Sequence, residues 1–375
     1  MPTVIAIEAK PVELRGIDTG FLHLYLVKTV TDEQGRVVSE KVIRGTAGSN
    51  GDLETLVDAN LATSVDRRGS DTPEERHREV LDLGTRDAND VWKVMVQHAN
   101  NIEKADLDYS IDILREAPGG DLNSNSVVAS VLHSVGLNLS TSFPDGVSRS
   151  DAPLYGQLQY MYVDDALFGT ANSDLIRGGI GNDRLYGRHG NDRLYGDDGD
   201  DRLHASNGDD RLVGGNGNDR LEGRAGDDAL FGNSDDDRLY GSFGDDYLSG
   251  GSGNDRLYGE AGADILHSGS GKDVFVYNSV PSGPESVDTI RDFSVANDTF
   301  WLNNRAFAGL GSEGRLKSGV FRTSDVARDS TDRILYDRDD GVLYYDADGT
   351  GASEQVAVAK LSDGLRLTSL DFLII

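Results

Sequence analysis

The chain has 375 residues, enough for two or three domains, and no cysteine, so disulfides and thiolate metal sites are excluded. A formal charge of -29 disfavours nucleic acid as a partner, because its phosphates would be repelled. No apolar stretch approaches the ~18 residues of a membrane span, and the 46 glycines recur at regular places, unlike a random acidic tail, so cations are expected to neutralise part of the acid.

The opening "MPTVIAIEAKPVELRG" lacks a basic start followed by an apolar run of signal-peptide length. Phe21 to Val27 and Arg36 to Gly45 read as two strands joined by a turn at "DEQG". Ala88, Val91, Trp92, Met95, Ala99 and Ile102 form a helical stripe. A second helix is expected over "NSNSVVASVLHSVG", with Ser/Asn caps at its start and Gly136 at its end. Residues 1–155 are therefore read as a small α+β domain.

A strand histidine, His23, followed later by a helix opening "LNSNSVV", resembles circularly permuted papain-like hydrolases such as the lecithin:retinol acyltransferase group. In that group the strand His activates a Cys at the helix N-terminus. The matching residue here is Ser124, so the pattern departs at the nucleophile itself. A hydroxyl needs His23 as a general base, because its pKa is far above that of a thiol. The resemblance implies an amidase or esterase using Ser124 and His23, with Ser126 as the neighbouring alternative nucleophile. Against it, Asn123 and Ser124 are ordinary N-cap residues, and His23 suits a core or edge position. On that reading the domain is a non-catalytic module for adhesion or surface attachment. His98 and His133 read as structural or surface residues. There is no zinc metalloprotease motif, no G-x-S-x-G elbow and no Walker loop. "GLGSEG" is a lone glycine match without a βαβ context.

From Gly169 the chain divides into twelve consecutive nonapeptides ending at Val276. Asp holds the sixth place in every copy: Asp174, Asp183, Asp192, Asp201, Asp210, Asp219, Asp228, Asp237, Asp246, Asp255, Asp264 and Asp273. A half-copy with Asp165 leads in. The eighth place is always apolar: Ile176, then Leu185 through Leu266 at steps of nine, then Phe275. The first place is Gly except at Ala205 and Ser268, and the fourth is Gly except at Asn172 and Asp235. Asn and Asp tolerate positive φ best among side chains, so the fourth place is governed by backbone geometry.

Each Asp-x-Leu-x segment predicts a short strand with one side chain pointing inward. Two nonapeptides make an eighteen-residue coil, and twelve make about six coils stacked at ~4.8 Å. Calcium wants 6–8 oxygens, more than one turn supplies. Turns eighteen residues apart together supply two Asp side chains plus backbone carbonyls, giving roughly eight to ten sites in two rows. The segment 169–276 carries 20 Asp and 2 Glu against 10 Arg and 1 Lys, so without metal the stacked carboxylates repel and folding is coupled to calcium. Fifth-place Asn and Asp are expected to shape turns, and the recurrent Arg of "DRL" to face solvent. The pattern G-G-x-G-x-D-x-U-x resembles RTX (repeats-in-toxin, hemolysin-type) calcium-binding proteins, and the resemblance implies a parallel β-roll holding Ca2+.

Downstream, Ile334, Leu335, Val342, Leu343, Tyr345, Val356 and Val358 read as strands. "DADGTG" lacks the Glu of a calcium loop, with Ala357 in its place, and reads as an Asp-Gly turn. "DTIRDF", "RILYD", "LYYDADGTG" and the ending "DFLII" resemble the C-terminal module of serralysin-type proteases and other type I secretion substrates. That resemblance implies an uncleaved export signal and, as partners, an ABC transporter, an adaptor and an outer-membrane channel. The expected whole is multidomain: an α+β domain (1–155), a calcium β-roll (156–280) and a β-rich cap with the secretion signal (281–375), secreted and extracellular.

Overall fold

The computed structural model describes residues 2–14, 17–47, 53–60, 77–104, 131–135, 164–351 and 353–375. They divide into two units, Met1–Leu185 and Tyr186–Ile375. In the first, β1 (Thr3–Leu14), β2 (Ile17–Thr31), β3 (Val37–Ala47), β4 (Leu53–Asn60) and β5 (His77–Val80) form an antiparallel sheet in the order β4-β3-β2-β1-β5. The expected turn at "DEQG" is present. Asp32 Oδ1 accepts the N–H groups of Gln34 and Arg36, both at 2.9 Å, and Gly35 takes φ 78°. Strands β1, β4 and β5 lie outside the expected pair.

Helix α1 (Ala88–Lys104) follows the expected stripe. Asp87 caps its start, with Oδ1 accepting the N–H of Asn89 at 2.8 Å. Val91, Trp92, Val94, Met95, His98 and Ala99 are buried. Of the second expected helix, 131–135 is described, and Val131, Leu132 and Val135 are buried along it.

α1 covers β6 (Ala166–Phe168) of the lead-in half-copy. The Gln97 amide donates to Phe168 O at 3.0 Å and accepts Phe168 N–H at 2.8 Å. Among the described residues no helix is long and apolar enough to cross a membrane.

The repeat forms a parallel β-solenoid of about six turns. Strands β7 to β17, each six residues long, begin at nine-residue steps from Leu175–Ile180 to Ile265–Ser270, and β18 is Val274–Tyr277. In the second unit Leu203, Leu221, Leu239, Leu257 and Phe275 align in one parallel sheet. Leu194, Leu212, Leu230, Leu248 and Leu266 align in the other. These side chains are at most 1% exposed, so the eighth place supplies the main apolar core of each half-coil.

Both sheets run on past the last regular copy. β19 (Asp288–Ile290) pairs with β17 through Leu266↔Ile290, and β20 (Thr299–Leu302) pairs with β18 through Phe275↔Phe300. "GPESVDTIR" and "FSVANDTFW" are therefore two further, degenerate copies displaced by short insertions. The cap adds β21 (Gly314–Arg315), β22 (Phe321–Arg322), β23 (Ile334–Asp337), β24 (Val342–Tyr345), β25 (Val356–Lys360) and β26 (Phe372–Ile374). β26 extends one sheet beside β20, and β25 extends the other beside β19. Phe293 and Phe372 stack on either side of Phe300, at 4.8 and 5.1 Å between centroids, closing the core.

Candidate metal centre

The sixth-place carboxylates are buried: Asp183 through Asp273 are at most 3% exposed, and Asp174 is 9% exposed. Each reaches the preceding coil through one oxygen. Asp192 N–H donates to Asp210 Oδ1 at 2.6 Å, and Asp201, Asp210, Asp219, Asp228 and Asp237 donate eighteen residues onward at 2.8 Å each. In the turns of Asp219, Asp228, Asp237, Asp246 and Asp255 the other oxygen points at the first-place glycine, whereas the turns of Asp210 and Asp273 carry Ala205 and Ser268 there. Oδ2 of Asp210, Asp219, Asp228, Asp237, Asp246 and Asp255 accepts no hydrogen bond. An unsatisfied buried carboxylate oxygen is costly and demands a partner.

The glycines make room for one. A Cβ at Gly232 would lie 2.1 Å from Asp237 Oδ2 and 2.6 Å from the Gly250 carbonyl. At Gly196 it would meet Asp201 Oδ2 at 2.1 Å and the Gly214 carbonyl at 2.6 Å. A carboxylate and a carbonyl from stacked turns thus converge where a side chain is missing. Among the described residues no three His, Asp or Glu side chains converge on one point. A cation in the roll therefore draws on backbone oxygens as well as carboxylates.

The fourth-place glycines serve a different need. A Cβ at Gly244 would lie 2.0 Å from the Gly226 carbonyl one coil away. Asp235 stands there at φ 73°, as expected of that place, while Asn172 is not among the positive-φ residues. The second place was not foreseen: Arg188, Asp197, Ser206, Arg224, Asn233, Ser242 and Glu260 are all left-handed, at φ 74–93°. Fifth-place residues form exposed hydrogen-bonded ladders, such as Asn218 N–H to Asp200 Oδ1 at 2.8 Å and Asp245 N–H to Asp227 Oδ1 at 2.9 Å. They shape turns, as expected.

The RTX calcium-binding nonapeptide repeat family matches residues 168–203, 204–239 and 240–275. Residues 168–275 are RTX calcium-binding repeats. The RTX repeats bind calcium, and proteins that carry them are typically secreted. No curated protein matches the chain. Among solved structures, the chain is similar to the AlgE6R3 subunit of the Azotobacter vinelandii mannuronan C5-epimerase, at 20% identity over 56% of this chain and 77% of that one, TM-score 0.17. It is also similar to the extracellular lipase LipA from Serratia marcescens, at 13% identity over 98% of this chain and 82% of that one, TM-score 0.23.

Burial raises the acids of the RTX repeats, against the N–H bonds that lower them, and neighbouring carboxylates raise them further. Asp237 is pushed up to about 9, Asp228 to about 8, and Asp183, Asp219, Asp246 and Asp255 to about 7. Asp264 is raised to about 6.

The ends of the RTX array differ from its middle. Asp174 Oδ2 accepts Thr170 N–H at 2.6 Å and Thr170 Oγ1 at 3.0 Å. In the last degenerate copy Asp298 Oδ2 likewise accepts the N–H four residues back, Ser294, at 2.7 Å. At the lead-in half-copy Asp165 is held by buried His98 and by Asn101 Nδ2 at 2.9 Å. Asp288 and Asp298 continue the two Asp ladders, accepting the N–H groups of Asp264 at 3.1 Å and Asp273 at 3.2 Å. Sequence reasoning passed over both, although "DTI" and "DTF" keep the Asp-x-apolar signature.

His23 lies on β2 opposite Lys10, while Ser124 and Ser126 fall outside the described residues. In "DADGTG" Asp346 Oδ1 accepts the N–H groups of Asp348 at 3.1 Å and Gly349 at 2.7 Å, an ordinary Asp-Gly turn.

Proposed function

We propose that the sixth-place carboxylates from Asp183 to Asp273, with first-place carbonyls of the stacked turns, are what hold calcium in this roll. Asp174 and Asp298 close the rows. The observation that carries the reading is the set of buried Oδ2 atoms without hydrogen bonds on Asp219, Asp228, Asp237, Asp246 and Asp255, each facing a glycine whose side chain would fill the space. Hard oxygen donors, partly backbone, suit calcium's demand for 6–8 oxygens. The ion offsets the cost of burying charge, so binding and folding are one event.

The protein is exported by a type I system and folds outside the cell. In calcium-poor cytosol the chain stays loose and passes through an ABC transporter, adaptor and outer-membrane channel, C-terminus first. Extracellular calcium modules bind at ~10⁻⁴–10⁻³ M, which suits such a switch. The type I phrases "DTIRDF" and "DFLII" support export. Far-ultraviolet circular dichroism of the full chain in calcium buffers tests the coupling. A cooperative gain of β signal that chelator reverses is expected, and a full β spectrum in excess EGTA refutes it.

The N-terminal region is proposed as the cargo. Ser124 as nucleophile and His23 as base make it an amidase or esterase, while Ser124 as a helix cap leaves a non-catalytic attachment module. A fluorophosphonate that labels the protein but not Ser124→Ala supports the first. No labelling supports the second.

A further inference from the structure

The two faces of the roll are not alike. On the sheet built from β10, β12, β14, β16 and β18, the outward seventh-place residues are Arg202, Arg220, Arg238 and Arg256. On the opposite sheet Arg193 and Arg211 are followed by Ala229, Tyr247 and Ile265. With Arg224, these strands carry five Arg against Glu222 and Glu260, on a chain whose formal charge is -29. Glu222 is already bridged by Arg220 at 2.7 Å and Arg224 at 3.2 Å. Arg202 and Arg238 are exposed and form no ion pair among the described residues.

Beside the arginines the ninth places carry two pairs of rings, separated by Glu222, which His204 bridges at 2.9 Å. Tyr186 stacks on His204 at 5.2 Å, Tyr240 stacks on Tyr258 at 4.3 Å, and Arg220 lies over Tyr240 at 4.0 Å. Past Val276 the same position on β20 is Trp301, which Arg256 overlies at 5.0 Å. There a cavity of about 180 Å³ opens, with Trp301, Arg315, Leu370 and Leu373 in its wall. It has room for about one sugar ring.

We propose that this face binds a single extended chain of an acidic polysaccharide bearing uronic-acid carboxylates, with its end unit in the cavity at Trp301 and Arg315. Arg recurs every coil, ~4.8 Å apart, close to the rise of a pyranose in an extended chain. Guanidinium matches carboxylate in a bidentate fork, and aromatic rings offer apolar surface to the C–H faces of sugars. The exposed Asp ladders at the turns, such as Asp200 and Asp227, flank the cationic strip.

The test is calorimetric titration of the full-length protein, in saturating calcium, with a short galacturonate oligomer. Wild type is expected to bind. Arg202→Glu combined with Arg238→Glu is expected to weaken binding by about tenfold or more, the scale of one lost charge-assisted contact. Arg193→Glu with Arg211→Glu, on the opposite face, is expected to leave it within about twofold. Trp301→Ala removes the end-unit contribution. The calcium midpoint of each variant, read by circular dichroism, verifies that the roll is folded. No binding by wild type, equal loss in both double variants, or equal or tighter binding of a neutral glucan oligomer or single-stranded DNA overturns the proposal.

Discussion

Truncating one rung of the leucine ladder gives a quantitative check on how many ions are coupled to folding. Leu221 is 0% exposed and lies in register between Leu203 and Leu239. Leu221→Ala removes its buried methyl groups and leaves a cavity, at a cost of about 3 kcal/mol. Each ion bound only by the folded state contributes ~1.4 kcal/mol per tenfold rise in calcium. If roughly eight ions bind as the roll forms, folding gains ~11 kcal/mol per decade of calcium. The variant's midpoint should therefore move up by ~0.3 decade, about twofold. The assay is circular dichroism across EGTA-buffered calcium, with Arg238→Ala as an exposed control that should not move. An unchanged midpoint would refute the ladder as the core. A tenfold shift would mean that only about two ions are coupled to folding.

Three further outcomes are expected. Gly232→Ala places a methyl against Asp237 Oδ2 and should remove an ion, costing about 1–3 kcal/mol of overpacking besides, as read from calcium stoichiometry and the thermal midpoint. Asp237→Asn should also lower the stoichiometry, whereas Asp298→Asn should lower stability alone, because Ser294 already holds its second oxygen. In chelator, the raised acids make the metal-free roll bind more protons than the unfolded chain. Their stabilising effect is full below pH ~4 and lost as pH rises through about 6 to 9. Acidifying the EGTA-treated protein from neutrality to pH ~4.5 should therefore restore β signal, and a spectrum that stays unfolded throughout would contradict the burial of these groups.

The roll was legible because one local constraint set is restated every nine residues. Eighth-place Leu must point inward, fourth-place Gly must clear the carbonyl of the coil before it, and sixth-place Asp must meet its counterpart eighteen residues on. The reading failed where the constraint is not local. Six residues inserted after Val276 break the frame, so Asp288 and Asp298 went unseen although their ladders continue. Left-handed Arg188 or Glu260 contradicts residue preference and is imposed by the neighbouring coils. That His98 on α1 would meet Asp165, 67 residues away, is a tertiary fact that no window of sequence contains.

The amide of Gln97 has a further consequence. By taking both the N–H and the C=O of Phe168, it occupies the hydrogen-bonding groups that the solenoid's first strand would otherwise offer to a foreign strand. A stack of identical coils is an invitation to grow into filaments, one molecule templating the next. At Phe168 that side chain blunts strand addition to the end of this sheet, a short stopper built from the helix that precedes the repeats.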